Sequence, residues 1–452
     1  MEIRKRNTIL FLGMALFAMF FGAGNLLLPA FLGYQTKIDW TSTFTGFSLT
    51  AILAPVLAIF AVAVSGNYFT DLGARANLKL AYFLAFINVL CIGPLIALPR
   101  SGASVYEVAI QPILPNAQAI WVCVVFFGAV MLLSFSPNRI TGILGKIFAP
   151  LLLFFLALLI IPGLFTGSTV ELPPTVIEDR FYVGFQEGYQ TMDVLAGLIF
   201  AVLLIAGANR KGFTHKSDRV EVVLKSAIFA AVCMLLVYGG LFYLGAHATI
   251  NPSEATRPAL LVHIATQNFG QTGIYLISVL MILACVTTAI ALTAGSANFM
   301  ERFTKGKLGY IEGVISITLV STLFAIAGVE EIIEYAGALL NFIYPVTLVL
   351  ILSVLLFGNT ITNQRPYFIT LIVTMVVSMI RILIKWFPNE EIFTRILEIL
   401  PLSQYNLYRV LGQYLNNKKR ECLKHSRFIF IYQHLLSKLH HLLNKVWLSC
   451  SH

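Results

Sequence analysis

The residues best suited to chemistry in this sequence are Gly22, Ala23, Gly24 and Asn25, in the middle of the apolar stretch 8–32. Glycine and asparagine are unfavourable inside helices, so these residues predict a helix that is broken near its centre. A broken helix offers free N–H groups on one side of the break and free carbonyl oxygens on the other. These groups suit a carboxylate and a metal cation respectively. The alternative is a small-residue surface for helix packing.

A second interruption lies near residue 188, where Gly188, Thr191, Asp193 and Gly197 stand in an otherwise apolar stretch. An ionisable side chain inside a membrane span is costly and usually functional, which makes Asp193 the first residue to test by mutation. The alternative is a carboxylate at the external mouth of the span, either solvated or capping the following half-helix.

Two adjacent threonines, Thr287 and Thr288, lie in the middle of a later apolar stretch. Hydroxyl and carbonyl oxygens are suitable ligands for a dehydrated alkali cation. Together with carbonyls from about Ala18 and Phe21, next to the first break, the two hydroxyls predict a cation site. Alternatively, each threonine bonds to a carbonyl one turn earlier in its own helix.

Arg100 follows Pro94 and Pro99 at the end of the predicted third span. It is one of few cations expected on the external side. The sequence favours an interfacial residue whose charged end reaches solvent. Pairing with Glu107, or attraction of an anionic solute to the entry, are the other interpretations.

The elements that must position these residues are membrane helices. Of the 452 residues 58% are apolar and 12% are charged, and the mean hydropathy is +0.83. This composition is typical of a polytopic membrane protein, and the continuous apolar stretches predict helices, giving an all-α fold. Eleven spans are predicted, near residues 8–32, 43–64, 78–98, 119–134, 143–164, 188–208, 221–245, 272–298, 310–328, 335–357 and 366–387.

Charged residues orient the predicted spans. Most Lys and Arg residues fall on loops that share a side with the N-terminus, which predicts a cytoplasmic N-terminus. The net charge of +10 is spread over many short loops, so nucleic-acid binding is rejected. The six cysteines are isolated and show no metal-ligand spacing.

The two interrupted spans, the first and the sixth, are five spans apart and enter the membrane from opposite sides. Such a pair indicates an inverted-repeat transporter with its site at the bilayer midplane. The predicted repeats cover about residues 8–164 and 188–357 of one membrane domain, 1–391. The remaining residues, 392–452, are unusually polar and basic. They predict either a surface-lying amphipathic segment or an altered tail, and make a twelfth span doubtful.

Four motifs carry a family likeness: FFGAGNLLLP (20–29), GPLIALPRSGASVYE (93–107), EGYQTMD (187–193) and ACVTTAIAL (284–292). Together they resemble the branched-chain amino acid transport system II carriers, the LIV-II or BrnQ-type cation symporters. The likeness covers about residues 5–405 and ends after LPL (400–402), where family members have another apolar span.

The resemblance implies a leucine-transporter-like fold of two inverted five-helix repeats, with helices 1 and 6 discontinuous. It implies that residues 22–25 receive the carboxylate of an amino acid and that Thr191 to Asp193 receive its ammonium group. It also implies that Thr287 and Thr288 complete a sodium site with carbonyls of the first span.

The expected function is therefore import of leucine, isoleucine and valine across the cytoplasmic membrane of a bacterium. Sodium or protons would drive it, membrane lipid would surround it, and no enzymatic cofactor is expected. A cation-coupled transporter of another small neutral amino acid is the alternative within the same class. A channel or a membrane-embedded enzyme is the alternative from another class, although no phosphate loop or zinc motif is found. The sequence does not give the oligomeric state.

Overall fold

A computed structural model describes residues 2–166, 179–251, 255–358 and 363–386. Within these ranges the regular secondary structure is helical, as predicted. The predicted C-terminal segment 392–452 and the predicted domain end at 391 lie outside the described residues. By contacts the chain divides into two units after Gln364.

The helices are numbered in chain order. Up to residue 166 they are α1 (Glu2–Phe20), α2 (Ala23–Thr36), α3 (Trp40–Ser48), α4 (Ala54–Ser65), α5 (Phe69–Gly73), α6 (Leu78–Leu90), α7 (Ala97–Ser104), α8 (Ala119–Ser134), α9 (Pro137–Ile143) and α10 (Ala149–Thr166). After residue 179 they are α11 (Arg180–Glu187), α12 (Asp193–Arg210), α13 (Lys216–Ala246), α14 (Arg257–Phe269), α15 (Gln271–Phe303), α16 (Tyr310–Ala325), α17 (Val329–Phe357) and α18 (Gln364–Trp386).

Helices cover each of the eleven predicted spans. In the described part of the chain, seven helical stretches are long and apolar enough to cross a membrane. An eighth candidate is α16 with the start of α17, which are bent by 107°, and α8 is a shorter apolar helix. Helices suit these sequences because each backbone N–H and carbonyl bonds within its own segment, where lipid offers no partner.

The first predicted break is present but lies slightly earlier than expected. Helix α1 ends at Phe20 and α2 begins at Ala23, so Phe21 and Gly22 form the break. Gly22 has an extended backbone, and its N–H donates to the Phe20 carbonyl at 2.8 Å. Gly24 and Asn25 already belong to the first turn of α2.

The second predicted break separates α11 from α12. A 3-10 turn, Gly188–Thr191, follows α11, and Met192 then adopts the left-handed conformation with φ of 61°. A non-glycine residue in this region carries strain of about 1–2 kcal/mol. Such strain is maintained by surrounding structure and is concentrated at functional sites. Helix α12 begins at the next residue, Asp193.

Helices α2 and α13 cross at very short distance, because glycines face backbone on both sides. A Cβ atom added to Gly245 would meet the Ala30 carbonyl, and one added to Gly33 would meet the Phe242 carbonyl. Close approach of small residues is how membrane helices gain packing energy without a hydrophobic driving force. This crossing holds α2, and with it the first break, in place.

Replacing Gly245 with alanine should therefore destabilise the protein, because the facing partner is backbone and cannot swing aside. The expected cost of overpacking is about 1–3 kcal/mol. Thermal unfolding of the detergent-purified protein measures it. Gly239→Ala on the same helix is the matched control, since its nearest atom, Phe44 Cζ, lies at an ordinary 3.7 Å. Equal melting temperatures for the two variants would contradict the packing argument.

Candidate functional site

The two breaks meet around one small cavity of about 20 Å³, which has room for about one water molecule. Seven of the ten residues predicted for the substrate and cation sites line it: Gly22, Ala23, Gly24, Asn25, Thr191, Asp193 and Thr288. The other three, Ala18, Phe21 and Thr287, do not line it. The structure therefore brings together residues that are far apart in the sequence, where the two breaks meet α15.

Asp193, the first residue of α12, is buried, with a relative exposure of 2%. Its Oδ2 accepts a hydrogen bond from Asn25 Nδ2 at 2.6 Å and one from the Tyr238 hydroxyl at 3.4 Å. Asn25 Nδ2 also contacts the Tyr238 hydroxyl. The alternative of a solvated carboxylate at the external mouth is wrong. The aspartate instead joins the two broken spans and α13 in the interior.

Thr191 shapes the turn that precedes α12. Its hydroxyl donates to the Gly188 carbonyl at 2.9 Å and accepts from the Asp193 N–H at 3.4 Å. Tyr238, on α13, is fully buried. Sequence reasoning missed Tyr238, because a tyrosine in an apolar span gives no signal unless its partner is known.

Arg100 corrects a sequence prediction. It is not interfacial, since its relative exposure is 4%, and it lines the same cavity as Asp193. Its Nη1 donates to the Gln190 carbonyl at 2.7 Å, in the turn before α12. Pairing with Glu107 is also wrong, because Glu107 accepts from the Val329 N–H at 2.8 Å.

The reason for this error is the length and shape of the third span. It was predicted to end at residue 98, but helical structure continues to Ile110 through two π-helical segments, Cys91–Leu95 and Val105–Ile110. Gly93 has non-helical angles within the first segment, and Pro94 follows it. The kink and the added length place Arg100 within the span instead of at its end.

The cavity combines opposite charges with an apolar wall. Arg100 and Asp193 both line it, and no direct ion pair joins them. Phe20 and Phe200, in edge contact with centroids 5.3 Å apart, form part of the apolar side. These charges and the apolar wall complement a small zwitterion with an aliphatic side chain, although the cavity of about 20 Å³ must widen to admit one.

The two threonines differ in their surroundings. The Thr287 hydroxyl donates to the Ala284 carbonyl at 2.9 Å, so the own-helix alternative holds for Thr287. The buried Thr288 hydroxyl has no hydrogen-bond partner. It faces the first break, because a Cβ atom on Gly22 would lie 2.9 Å from Thr288 Oγ1.

The backbone of the first break also contains carbonyl groups outside the regular hydrogen bonding of a helix. In a continuous helix the Ala18 carbonyl would accept from the Gly22 N–H, but that N–H donates to Phe20 instead. Phe21 lies in the break itself, outside both helices. These oxygens and the unsatisfied Thr288 hydroxyl are the chemistry that an alkali cation requires.

A second cavity, of about 250 Å³, lies further along α12 and α15. Its lining includes Asn88, Arg210, Asn298 and Arg302. It is at the end of the molecule where the N-terminus lies, because Arg4 donates to the Lys211 carbonyl just beyond α12.

The opposite end of the molecule is held by charges. Arg257, at the start of α14, pairs with Glu330 on α17 at 2.5 Å and lies 4.0 Å from Glu187 on α11. These contacts link α14 to α11 and α17 at this end of the molecule. The structure therefore shows a small central site, a larger cavity toward one end, and the Arg257 ion pairs toward the other.

Comparison with known proteins places this sequence in a family. Residues 5–415 match the family described as "Branched-chain amino acid transport protein". The branched-chain amino acid permease BrnQ of Bacillus subtilis is 32% identical over 403 residues, covering 86% of this chain and 91% of the relative. The permease BraB of the same organism is 30% identical over 367 residues, covering 80% and 82%.

Solved structures show the same fold at low identity. The nucleobase-cation-symport-1 family transporter Mhp1 matches with a TM-score of 0.56 and 14% identity, covering 86% of this chain and 95% of that one. A manganese transporter of Eremococcus coleocola matches with a TM-score of 0.60 and 14% identity, covering 98% and 94%. These neighbours confirm the predicted all-α transporter fold of two inverted five-helix repeats. The chain belongs to the branched-chain amino acid transport protein family.

Proposed function

We propose that this protein imports leucine, isoleucine and valine by symport with sodium, and that the amino acid binds between the two broken helices. The family supplies the class of substrate. The observation that supports the binding place is the buried Asp193 carboxylate at the start of α12, which lines the central cavity and accepts a hydrogen bond from Asn25 in the first turn of α2. The carboxylate receives the ammonium group, and the free N–H groups around Gly22 to Asn25 receive the substrate carboxylate.

The apolar wall of the cavity accounts for a preference for branched aliphatic side chains. An apolar pocket separates substrates that differ by one methylene by only roughly 1–3 kcal/mol. All three branched-chain amino acids are therefore expected substrates. A charged side chain is excluded because it would be buried against the apolar wall, while the Asp193 carboxylate is already engaged by the ammonium group.

Sodium would bind beside the substrate, between Thr288 and the carbonyls of Ala18 and Phe21. The unsatisfied Thr288 hydroxyl supports this assignment. A proton cycle on Asp193 is the second candidate, since a carboxylate buried at membrane depth can carry a proton in transport.

Alternating access gives the second cavity a role. We place the N-terminus in the cytoplasm of a bacterium, because most Lys and Arg residues lie on the loops of that side. The 250 Å³ cavity then lies on the cytoplasmic side and receives the released substrate. Arg257 and its two glutamates form the external closure.

Transport by the purified protein, reconstituted into proteoliposomes, tests this function. An inward sodium gradient without a pH gradient should drive accumulation of labelled leucine above its external concentration. A pH gradient without sodium should not. Accumulation driven by the pH gradient alone would reject sodium in favour of protons, and equilibration without accumulation under either gradient would reject symport.

The Thr288→Ala variant tests the cation site. Loss of one hydroxyl ligand in a buried site should cost about 1–2 kcal/mol, which raises the sodium concentration for half-maximal uptake by about tenfold. Thr287→Ala is the matched control, because the Thr287 hydroxyl already donates within its own helix. The measurement is leucine uptake as a function of sodium concentration. Identical sodium dependence in the wild type and Thr288→Ala would remove Thr288 from the cation site.

A further inference from the structure

Arg100 is a buried charge whose hydrogen bonds are far from complete. A guanidinium group has five N–H donors, and among the described residues Arg100 uses one, from Nη1 to the Gln190 carbonyl. The nearest glutamate on its own span, Glu107, is bound to the Val329 N–H instead. Asp193 attracts Arg100 electrostatically but is hydrogen-bonded by Asn25 and Tyr238.

A buried ion without a contacting counter-ion is costly, and the cost is recovered when an anion binds directly. The position of the guanidinium shows where that anion would lie. A Cβ atom on Gly24 would collide with Arg100 Nη2, so the guanidinium rests directly on the first turn of α2. The N-terminal end of a helix also favours negative charge. Both features therefore attract a carboxylate to the same part of the cavity.

We propose that Arg100 binds the carboxylate of the transported amino acid, while Asp193 binds its ammonium group. This inference rests on the proposed function and deepens it. Arg100 is then a specificity-determining residue that distinguishes α-amino acids from amines of the same shape. Charge-assisted bonds from a planar guanidinium to a carboxylate are strong and directional, which suits this role.

A purely structural role is the competing explanation. The bond to Gln190 satisfies a carbonyl in the turn before α12, and this bond alone would stabilise the second break. A structural residue affects every ligand of the site in the same way. A carboxylate receptor affects only ligands that have a carboxylate.

Two ligands separate these explanations. L-leucinol has the side chain and ammonium group of leucine, but a hydroxymethyl group replaces the carboxylate. Inhibition of labelled-leucine uptake, measured with the full-length protein in proteoliposomes, gives the affinity of each ligand. In the wild type, leucine should bind at least about 30-fold more tightly than leucinol, as expected for a lost buried charge pair. Equal affinities in the wild type would overturn the proposal without any variant.

The Arg100→Gln variant should lower the affinity for leucine by at least about 30-fold and change that for leucinol by less than about threefold. Arg100→Lys retains the positive charge but not the planar set of N–H donors of a guanidinium group. It should therefore keep part of the preference for leucine that Arg100→Gln loses. Arg75→Gln is the matched control, because Arg75 also donates to a backbone carbonyl, that of Gly358, away from the cavity. A parallel loss of both affinities in Arg100→Gln would assign Arg100 a structural role and overturn the proposal.

Different results would reject the proposed function and the role of Arg100. A wild-type protein that neither transports nor binds leucine would reject the proposed function. A wild type that transports leucine with Arg100 variants that keep the full preference for leucine over leucinol would reject only the role of Arg100. Thermal unfolding of each variant identifies losses that come from misfolding. If Arg100→Gln misfolds, Arg100→Lys decides the outcome: a reduced preference for leucine over leucinol supports the proposal, and an unchanged preference overturns it.

Discussion

Replacement of Asp193 by asparagine is expected to reduce leucine uptake to near background. The asparagine side chain has the same shape, and its carbonyl oxygen can still accept from Asn25, which donates to Asp193 at 2.6 Å in the wild type. The fold around the second break should therefore be retained. What is lost is the negative charge that faces the ammonium group, and truncation of one partner of a buried charge pair costs about 2–5 kcal/mol.

This loss corresponds to roughly a 30-fold to several-thousand-fold lower affinity for leucine. Uptake of labelled leucine by proteoliposomes measures it over a wide range of substrate concentration. Asp39→Asn is the matched control, because Asp39 pairs with Arg180 where both side chains are partly exposed, and such pairs contribute about 0–1 kcal/mol. Leucine uptake by Asp193→Asn that matches the control would exclude Asp193 from the substrate site.

Replacement of Gly24 by valine is the second change with a large expected effect. Even the first carbon of a side chain at this position would collide with the Arg100 guanidinium. The cavity of about 20 Å³ has no space for the remaining carbons. The side chain of Arg100 can shift because its tip is flexible, so the protein should fold while the carboxylate end of the site is displaced.

The expected cost of forcing these atoms apart is about 1–3 kcal/mol, which corresponds to an affinity for leucine about 5- to 150-fold lower. Gly128→Val on α8 is the matched control, since no atom lies within 4 Å of a Cβ atom added there. The affinity for leucine is measured from the shift in melting temperature of each variant as leucine is added. Retained leucine affinity in Gly24→Val would show that the substrate lies elsewhere.

Both breaks could be predicted from the sequence because each depends on local chemistry. Glycine and asparagine in an apolar span are unfavourable within a helix wherever the span lies, so Gly22 to Asn25 gave a clear signal. The exact position of the first break could not be predicted. It depends on which N–H bonds to which carbonyl, and Gly22 donates to Phe20, which leaves Phe21 and Gly22 irregular.

The position of Arg100 could not be predicted in the same way. Arg100 follows two prolines, and such a residue is usually interfacial. Its real position depends on π-helical segments on both sides of α7, which prolong the third span and turn it toward the centre. Such segments have no reliable sequence signal. Tyr238 was missed for a related reason, because its role follows only from contact with Asn25 and Asp193.

The distinction between the two threonines also required the structure. Both have the residue type that a cation site needs, and they are adjacent in the sequence. Successive residues on a helix point in directions about 100° apart, so only one of them can face the first break. Thr288 does so, and Thr287 bonds to its own helix.

A structure of the protein with bound leucine tests the central claim most directly. We expect the amino acid between the breaks, with its ammonium group within hydrogen-bonding distance of Asp193 and its carboxylate at the first turn of α2. The cavity must widen beyond its present 20 Å³ to admit it. Leucine bound outside the space between Gly22 to Asn25 and Thr191 to Asp193, with both breaks empty, would contradict the account.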